Sequence, residues 1–323
     1  MDKQRILACG AGGFIGSHLA KALYEAGHYV RVADVKWDGY LAEPYYTDKV
    51  TVDLRDGDDA IEVAEGCNRI YQHAANMGGI GYITEKAADV VYDNALINLN
   101  MAQAALAAGA RIFFASSACV YPNYKQEEAN VKPLAELDAL PADPNEAYGW
   151  EKLFSEVVYQ SFSRDYGLDI RIARYHNIYG PEGTWDGGRE KAPAALCRKV
   201  ARADNGSWIE VWGDGQATRS FCYITDCVRA TIALMESNWR EPLNIGSDRL
   251  VTVDELAQMA IAASGKQLAL VHDLTKPQGV RGRNADLTMM REVLHMEPVT
   301  SLERGMLITY KWIEEQVKQC NMR

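Results

Sequence analysis

The sequence predicts an α/β fold, a doubly wound parallel sheet with a smaller C-terminal α/β lobe, and three observations lead there. Apolar strand-like runs alternate with helix-period segments through the first half of the 323 residues, the pattern of a parallel sheet covered by helices on both faces. A glycine-rich turn, Gly10-Ala11-Gly12-Gly13-Phe14-Ile15-Gly16, joins the first strand to the first helix. Beyond Asn177 the alternation fades into short strands and glycine pairs, which marks inserted lobe material. The expected division is residues 1–177 with 219–247 for the sheet domain, and 178–218 with 248–323 for the smaller lobe.

Taken in order, residues 5–9 read as the first strand, and Ile15, Leu19, Leu23 and Ala26 recur at helical spacing until Gly27. Gly10, Gly13 and Gly16 let the backbone turn tightly and approach a phosphate with no Cβ in the way. The first helical turn, with Phe14 and Ile15, offers unpaired N–H groups to the anion. Residues 29–33 form the next strand, and Asp34 lies at its end, eighteen residues past Gly16. A carboxylate there accepts hydrogen bonds from two ribose hydroxyls and repels a 2′-phosphate, so the predicted cofactor is NAD rather than NADP.

Residues 36–48 are expected to loop over the cofactor edge, and residues 50–54, with Asp53 and Leu54, to form a third strand. A helix at 60–65 closed by Gly66 and a fourth strand at 69–75 follow. The glycine-rich run Asn76-Met77-Gly78-Gly79-Ile80-Gly81 then lies at the sheet edge where ligands of such folds bind. A long helix spans 92–108, its mild composition of Asn94, Asn98, Asn100 and alanines suiting contact with a second copy of itself. The fifth strand, 111–115, delivers Ser116-Ser117-Ala118-Cys119 to the same edge. After a proline-punctuated loop at 122–144, a helix over 146–166 carries Tyr148 and Lys152, and a strand covers 169–174. Further on come a short helix at 193–203, a strand around 210–212 and a strand at 243–245 that rejoins the sheet. A capping box of Thr252 with Glu255 and a final helix with Leu302, Met306, Ile313 and Val317 on one stripe complete the chain.

Composition bounds the function. A content of 48% hydrophobic residues is enough for a sizeable core, and a net charge of −10 speaks against a general nucleic-acid partner. Basic residues nevertheless gather at Arg189, Lys191, Arg198, Lys199, Arg219, Arg281 and Arg283, which suggests an anion site in the C-terminal half. The first strand begins almost at Met1 and no apolar run approaches bilayer length. Together with seven cysteines and no Cys-x-x-Cys pair, this predicts a cytoplasmic protein with free thiols, no membrane anchor and no metal.

Tyr148 and Lys152, four apart on a helix, share one face. A phenol is too weak an acid to serve as base at neutral pH, but a nearby ammonium and a nicotinamide cation would lower its pKa. Tyr148 could then take the proton of a substrate hydroxyl while hydride leaves for NAD, with Ser117 bonding the same oxygen. These features, with Asn177-x-Tyr179-Gly180-Pro181, resemble the extended short-chain dehydrogenase/reductase family, whose Rossmann-type domain holds NAD and whose smaller lobe holds a sugar nucleotide. Subunits of that family commonly pair through two helices each, so a homodimer is expected.

Oxidation of a sugar hydroxyl to a 4-ketone makes the C3′ and C5′ hydrogens acidic, and epimerisation then needs two further acid/base groups on opposite faces. Cys119, two residues past Ser117 and so on the same side of an extended strand, is one candidate. Lys191, in the glycine-flexed loop Gly187-Gly188-Arg189-Glu190-Lys191-Ala192-Pro193, is the other, and burial beside Arg189 or Arg281 would lower its pKa. The runs Ser-Ser-Ala-Cys-Val-Tyr-Pro, Gly-Gly-Arg-Glu-Lys-Ala-Pro, Trp212-Gly213-Asp214-Gly215 and Gly279-Val280-Arg281-Gly282-Arg283-Asn284 resemble the GDP-mannose 3,5-epimerases. The resemblance implies that Cys119 and Lys191 are the acid/base pair. It implies substrate contacts from Gly78, Ser117, Ala118, Cys119, Asn177, Glu190, Lys191, Ala192, Lys199, Thr218, Arg219 and Arg283. Cofactor contacts are implied from Gly10, Gly13, Phe14, Ile15, Gly16, Asp34, Asp53, Leu54, Tyr148 and Lys152. The competing reading is a GDP-4-keto-6-deoxymannose epimerase-reductase, expected to pair its cysteine with histidine and to use NADPH; Asp34 and Lys191 speak against it. A 4,6-dehydratase would want a carboxylate where Ala118 and Cys119 stand, and a non-catalytic binding protein would not need these groups at all.

Overall fold

Alternate residues of the first strand, β1 (Arg5–Cys9), bury their side chains in two different cores: Ile6 and Ala8 on one face, Leu7 and Cys9 on the other. A strand covered on both faces belongs inside a parallel sheet, and β1 lies near the middle of one. The computed structural model describes residues 3–37, 39, 45–276 and 279–322. The chain runs from β1 through α1 (Phe14–Glu25), β2 (Tyr29–Asp34), β3 (Asp48–Thr51), α2 (Gly57–Ala64), β4 (Arg69–Gln72), α3 (Ile80–Glu85), α4 (Ala87–Ala108), β5 (Arg111–Ser117), α5 (Ala147–Tyr166) and β6 (Ile170–Tyr175). Then follow β7 (Ile178–Tyr179), α6 (Ala192–Arg202), β8 (Trp208–Trp212), β9 (Thr218–Ser220), β10 (Cys222–Tyr223), α7 (Ile224–Glu236) and β11 (Pro242–Ile245). Last come β12 (Leu250–Thr252), α8 (Val253–Ser264), β13 (Ala269–Asp273), β14 (Gly282–Arg283), α9 (Thr288–Leu294) and α10 (Leu302–Asn321).

The main sheet has seven parallel strands in the order β11-β6-β5-β4-β1-β2-β3. Strand order reverses between β1 and β4, which opens a crevice at their carboxyl ends where ligands of such sheets bind. Three smaller sheets, β10–β7, β12–β9–β14 and β13–β8, stand beyond residue 177. Thr252 and Glu255 form the expected reciprocal cap of α8, at 3.0 and 2.7 Å. The stripe of Leu302, Met306, Ile313 and Val317 on α10 is buried. Among the described residues no helix is long and apolar enough to cross a membrane.

Several boundaries differ from the sequence reading. The expected third strand shifts to Asp48–Thr51, because Asp53 turns the chain into α2: its carbonyl accepts from Asp56 N at 3.0 Å. β4 stops at Gln72, whose side chain takes over from the ladder by exchanging hydrogen bonds with the backbone of Ala74 at 2.9 and 3.2 Å. The glycine-rich run ends at Gly79, and Gly81 lies inside the short helix α3, which the pattern did not suggest. The long helix starts five residues earlier than expected, at Ala87, with no side-chain cap to announce it. Of the loop expected over the cofactor edge, residues 38 and 40–44 lie outside the described residues.

Candidate active site

The crevice opens into a cavity of about 900 Å³ that runs from the first glycine turn to the start of α6. At one end Gly10 has φ +75°, and a Cβ there would meet the backbone of Ala74 at 2.7 Å, so the carboxyl ends of β1 and β4 approach as only glycine permits. A Cβ on Gly16 would stand 2.1 Å from Gly10 O, which seats α1 directly on the turn. Gly13 caps α1 without a side-chain bond, leaving the first-turn amides around Phe14 and Ile15 for an anion at the cavity wall. Asp34 is fixed at the end of β2 by Gly12 N (2.9 Å), Val35 N (2.8 Å) and Lys36 N (3.3 Å). Burial pushes its pKa up while those amides pull it down. Asp53 and Leu54 line the same end, the Asp53 carboxylate gripped by Arg55 and held below its usual range. A glycine cradle, a free helix start and a positioned carboxylate fit a dinucleotide with an unmodified adenosine ribose.

At the middle of the cavity β5 ends on Ser117 and α5 presents Tyr148 and Lys152. The Ser117 hydroxyl accepts from Cys119 N at 3.1 Å. Lys152 Nζ lies 4.8 Å from the Phe114 ring and 5.7 Å from that of Tyr148. Burial lowers the Lys152 pKa, with Glu151 and Glu156 working against it. The expected lowering of the Tyr148 phenol is not found in this state. Burial pushes it well above its ordinary value, Cys119 and Glu151 add to that, and the neighbouring Ser117 hydroxyl alone opposes.

Cys119 reaches the site differently from the strand alternation expected for it. The strand ends at Ser117, and residues 118–120 form a single 3₁₀ turn held by the Ser117 hydroxyl, so the turn rather than the pleat aims the sulfur. The thiol is half-buried, and Arg283 Nη1 donates to Sγ at 3.4 Å. Burial raises its pKa, but Arg283, the Ser117 bond and Lys191 outweigh it, and the thiol is held below its ordinary value. Lys191 is the N-cap of α6 and enters the cavity. As a residue Lys191 is exposed, but at its ammonium tip desolvation lowers the pKa, while Cys119 and Cys227 oppose. Neither Arg189 nor Arg281 is the cause, contrary to expectation: Arg189 stacks at 3.9 Å over the Tyr82 ring, and Arg281 is paired with Asp214 at 2.8 Å.

The structure also sorts the basic cluster. Arg198 is bonded to Glu190 at 2.6 Å and Lys199 to Glu210 at 3.2 Å, so Glu190 and Lys199 are engaged with protein partners rather than aimed at the cavity. Thr218 is buried and donates to Ala129 O, and Ala192 opens α6. Asn177, at φ +43°, and Gly78 line the cavity. Arg219 and Arg283 are direct neighbours on β9 and β14 and pair with no carboxylate among the described residues. Burial and Arg283 push the Arg219 pKa down to about 9, against the pull of Cys119. A buried and a half-buried guanidinium side by side, neither paired with a carboxylate among the described residues, suit an anionic ligand.

The sequence pattern of the NAD dependent epimerase/dehydratase family matches residues 6–246. The chain belongs to that family. It is NAD-dependent accordingly. It is 45% identical over 98% of its length to a GDP-mannose 3,5-epimerase of Arabidopsis thaliana, covering 84% of that protein. A GDP-L-fucose synthase of Escherichia coli strain K12 is more distant, 29% identical over 98% of each chain. Among solved structures, a UDP-glucose 4-epimerase of Thermotoga maritima with UDP-glucose superposes with a TM-score of 0.87, at 26% identity, over 97% of this chain and 99% of that one. Two features of this family member escaped the sequence reading. Gln126, fully buried, bonds Arg283 at 2.5 Å, but it sits in a polar stretch that looks solvated. Asp93 holds Arg55 at 2.9 Å at the cavity wall, and only its place on the long helix face could have pointed to it.

Proposed function

We propose that this chain inverts C3′ and C5′ of GDP-mannose, giving GDP-L-galactose and the singly inverted GDP-L-gulose. The observation that carries the reading is the placement of Cys119 and Lys191. They come from separate elements, the turn after β5 and the N-cap of α6, and the charge of each bears on the ionisation of the other.

Asp34 and the first turn of α1 would hold the adenosine ribose and pyrophosphate, with Tyr148 and Lys152 beside the nicotinamide. NAD held there would supply a reversible hydride acceptor for C4′, and a ketone at C4′ makes the C3′ and C5′ hydrogens acidic. Tyr148 takes and gives back the proton of the C4′ hydroxyl, and Ser117 orients that oxygen. Cys119, as thiolate, removes a proton from one face of the neighbouring carbon, and the Lys191 ammonium supplies one to the other. Both pKa values are displaced towards neutrality, as such an exchange needs. Arg219 and Arg283 would face the diphosphate, with Gly78, Ala118, Asn177, Ala192 and Thr218 around the rest of the substrate. In this reading residues 1–177 and 219–247 serve the cofactor, and 178–218 and 248–323 the sugar nucleotide.

The same proposal makes the protein a cytoplasmic homodimer. Trp150, Phe154 and Val157 form one exposed apolar row on α5, and Tyr92 stands exposed on α4, which packs against α5. Such a row suits burial against its symmetry mate. An epimerase-reductase drawing on NADPH is disfavoured by Asp34, whose charge would oppose a 2′-phosphate. The test is incubation of the protein with GDP-mannose in heavy water without added cofactor. Deuterium is expected at C3′ and C5′; folded protein that places none there overturns the reading.

A further inference from the structure

Gln126 lies in the stretch Lys125-Gln126-Glu127-Glu128, yet its side chain is fully buried. Both of its amide N–H groups and its oxygen are engaged. Nε2 donates to Tyr121 O at 3.0 Å and Pro122 O at 3.2 Å, and Oε1 accepts from Arg283 Nε at 2.5 Å. The reverse orientation would turn an NH₂ group to a guanidinium and an oxygen to two carbonyls, so the chemistry of the partners fixes the amide. The backbone joins the clamp: Gly282 N donates to Gln126 O at 3.1 Å. A Cβ on Gly282 would stand 2.1 Å from Glu128 O and 2.9 Å from the Val131 Cβ, so this segment wraps directly over β14.

One side of the clamp is therefore the chain leaving Cys119. The other is Arg283, whose Nη1 reaches the sulfur at 3.4 Å. Charge makes the choice of residue meaningful. A carboxylate at this position would form an ion pair with Arg283 and cancel its field, whereas a neutral carbonyl oxygen directs the guanidinium and leaves its charge uncompensated.

We propose that Gln126 is a positioning residue for proton transfer at carbon: it fixes Arg283 against Cys119 through an uncharged acceptor, so that the guanidinium charge serves the sulfur. The inference rests on the reading of Cys119 as a group that moves that proton. The groups facing the sulfur are Arg283 on β14, Arg219 on β9, Ser117 on β5, Tyr148 on α5 and Lys191 at the start of α6. Of these, Gln126 bonds Arg283.

The test is the pH dependence of Cys119 alkylation by iodoacetamide in the full chain, followed by peptide mass spectrometry so that the exposed Cys320 is counted separately. Gln126→Leu removes the acceptor; Gln126→Glu keeps an acceptor and adds charge. Both are expected to slow Cys119 alkylation at neutral pH on the order of tenfold, with the gap closing at alkaline pH and Cys320 unaffected. An unchanged rate in the Glu variant overturns the proposal, and so does a slowing that is equal at every pH, which would report access rather than ionisation. If the Leu variant does not fold, the Glu variant decides. If neither folds, Arg283→Lys decides, because an ammonium keeps the charge but cannot span Gln126 Oε1 and Sγ; the same pH-dependent slowing supports the proposal and a wild-type profile refutes it. The readout is the thiol rather than turnover, so it stands or falls separately from the heavy-water exchange.

Discussion

Replacing Arg283 by glutamine gives a quantitative test of how the proposed base is made. Its Nη1 lies 3.4 Å from Cys119 Sγ, and two unit charges at that separation attract by about 5 kcal/mol at an effective dielectric of ~20. The sulfur is half-buried, so solvent screens part of this; if a third to a half survives, about 1.6–2.5 kcal/mol favours thiolate over thiol. That is roughly a 15- to 70-fold change in the thiolate-to-thiol ratio. The sign follows from the direction of the displacement. A cation holds the thiol pKa down, so its removal moves the acid limb of the rate profile to higher pH, while the alkaline limb set by Lys191 stays in place. The assay is deuterium wash-in at C3′ and C5′ against pH at saturating GDP-mannose, which separates ionisation from weakened binding. Loss of rate at neutral pH with recovery towards alkaline pH is expected. A uniform loss across the whole range would mean that Arg283 acts other than through the ionisation of Cys119, and the electrostatic reasoning would be refuted.

Three further outcomes follow from particular contacts. Glu156→Gln removes the counter-charge of Arg174, a pair at 2.7 Å with both partners buried; breaking such a pair costs about 3–5 kcal/mol, so a thermal melt should fall by roughly 6–10 °C, and a fall within error would contradict the burial argument. Asp34→Ala should release NAD on gel filtration that the wild type retains, since two charge-assisted hydrogen bonds are worth about 1.5–3 kcal/mol each, and undiminished retention would place the ribose elsewhere. Phe154→Glu places a charge in the middle of the apolar row on α5 and should give monomers by light scattering; an intact dimer would move the interface to another face.

The fold was legible to the extent that it depends on local signals. Glycines and period-two or period-3.6 burial placed β1, α1 and β2 within about a residue, because there the turn chemistry and the core pattern agree. Legibility failed where a polar side chain substitutes for the backbone. Gln72 ends β4 early by bonding Ala74, and Ser117 converts what looks like a continuing strand into the turn that aims Cys119.

The site shows the same limit in its charges. Arg281 and Arg283 are two residues apart in one basic run, and nothing local distinguishes them. They diverge because Asp214, at the end of the turn after β8, pairs with Arg281, while Gln126 arrives from a distant loop to bond Arg283 without neutralising it. Which cation retains an outward field is thus decided by a partner more than a hundred and fifty positions away in the chain, 157 for Gln126. The electrostatics of Cys119 are therefore a property of tertiary packing, since the loop wrapped over β14 makes a small thiol at a strand end more acidic than its burial alone would allow.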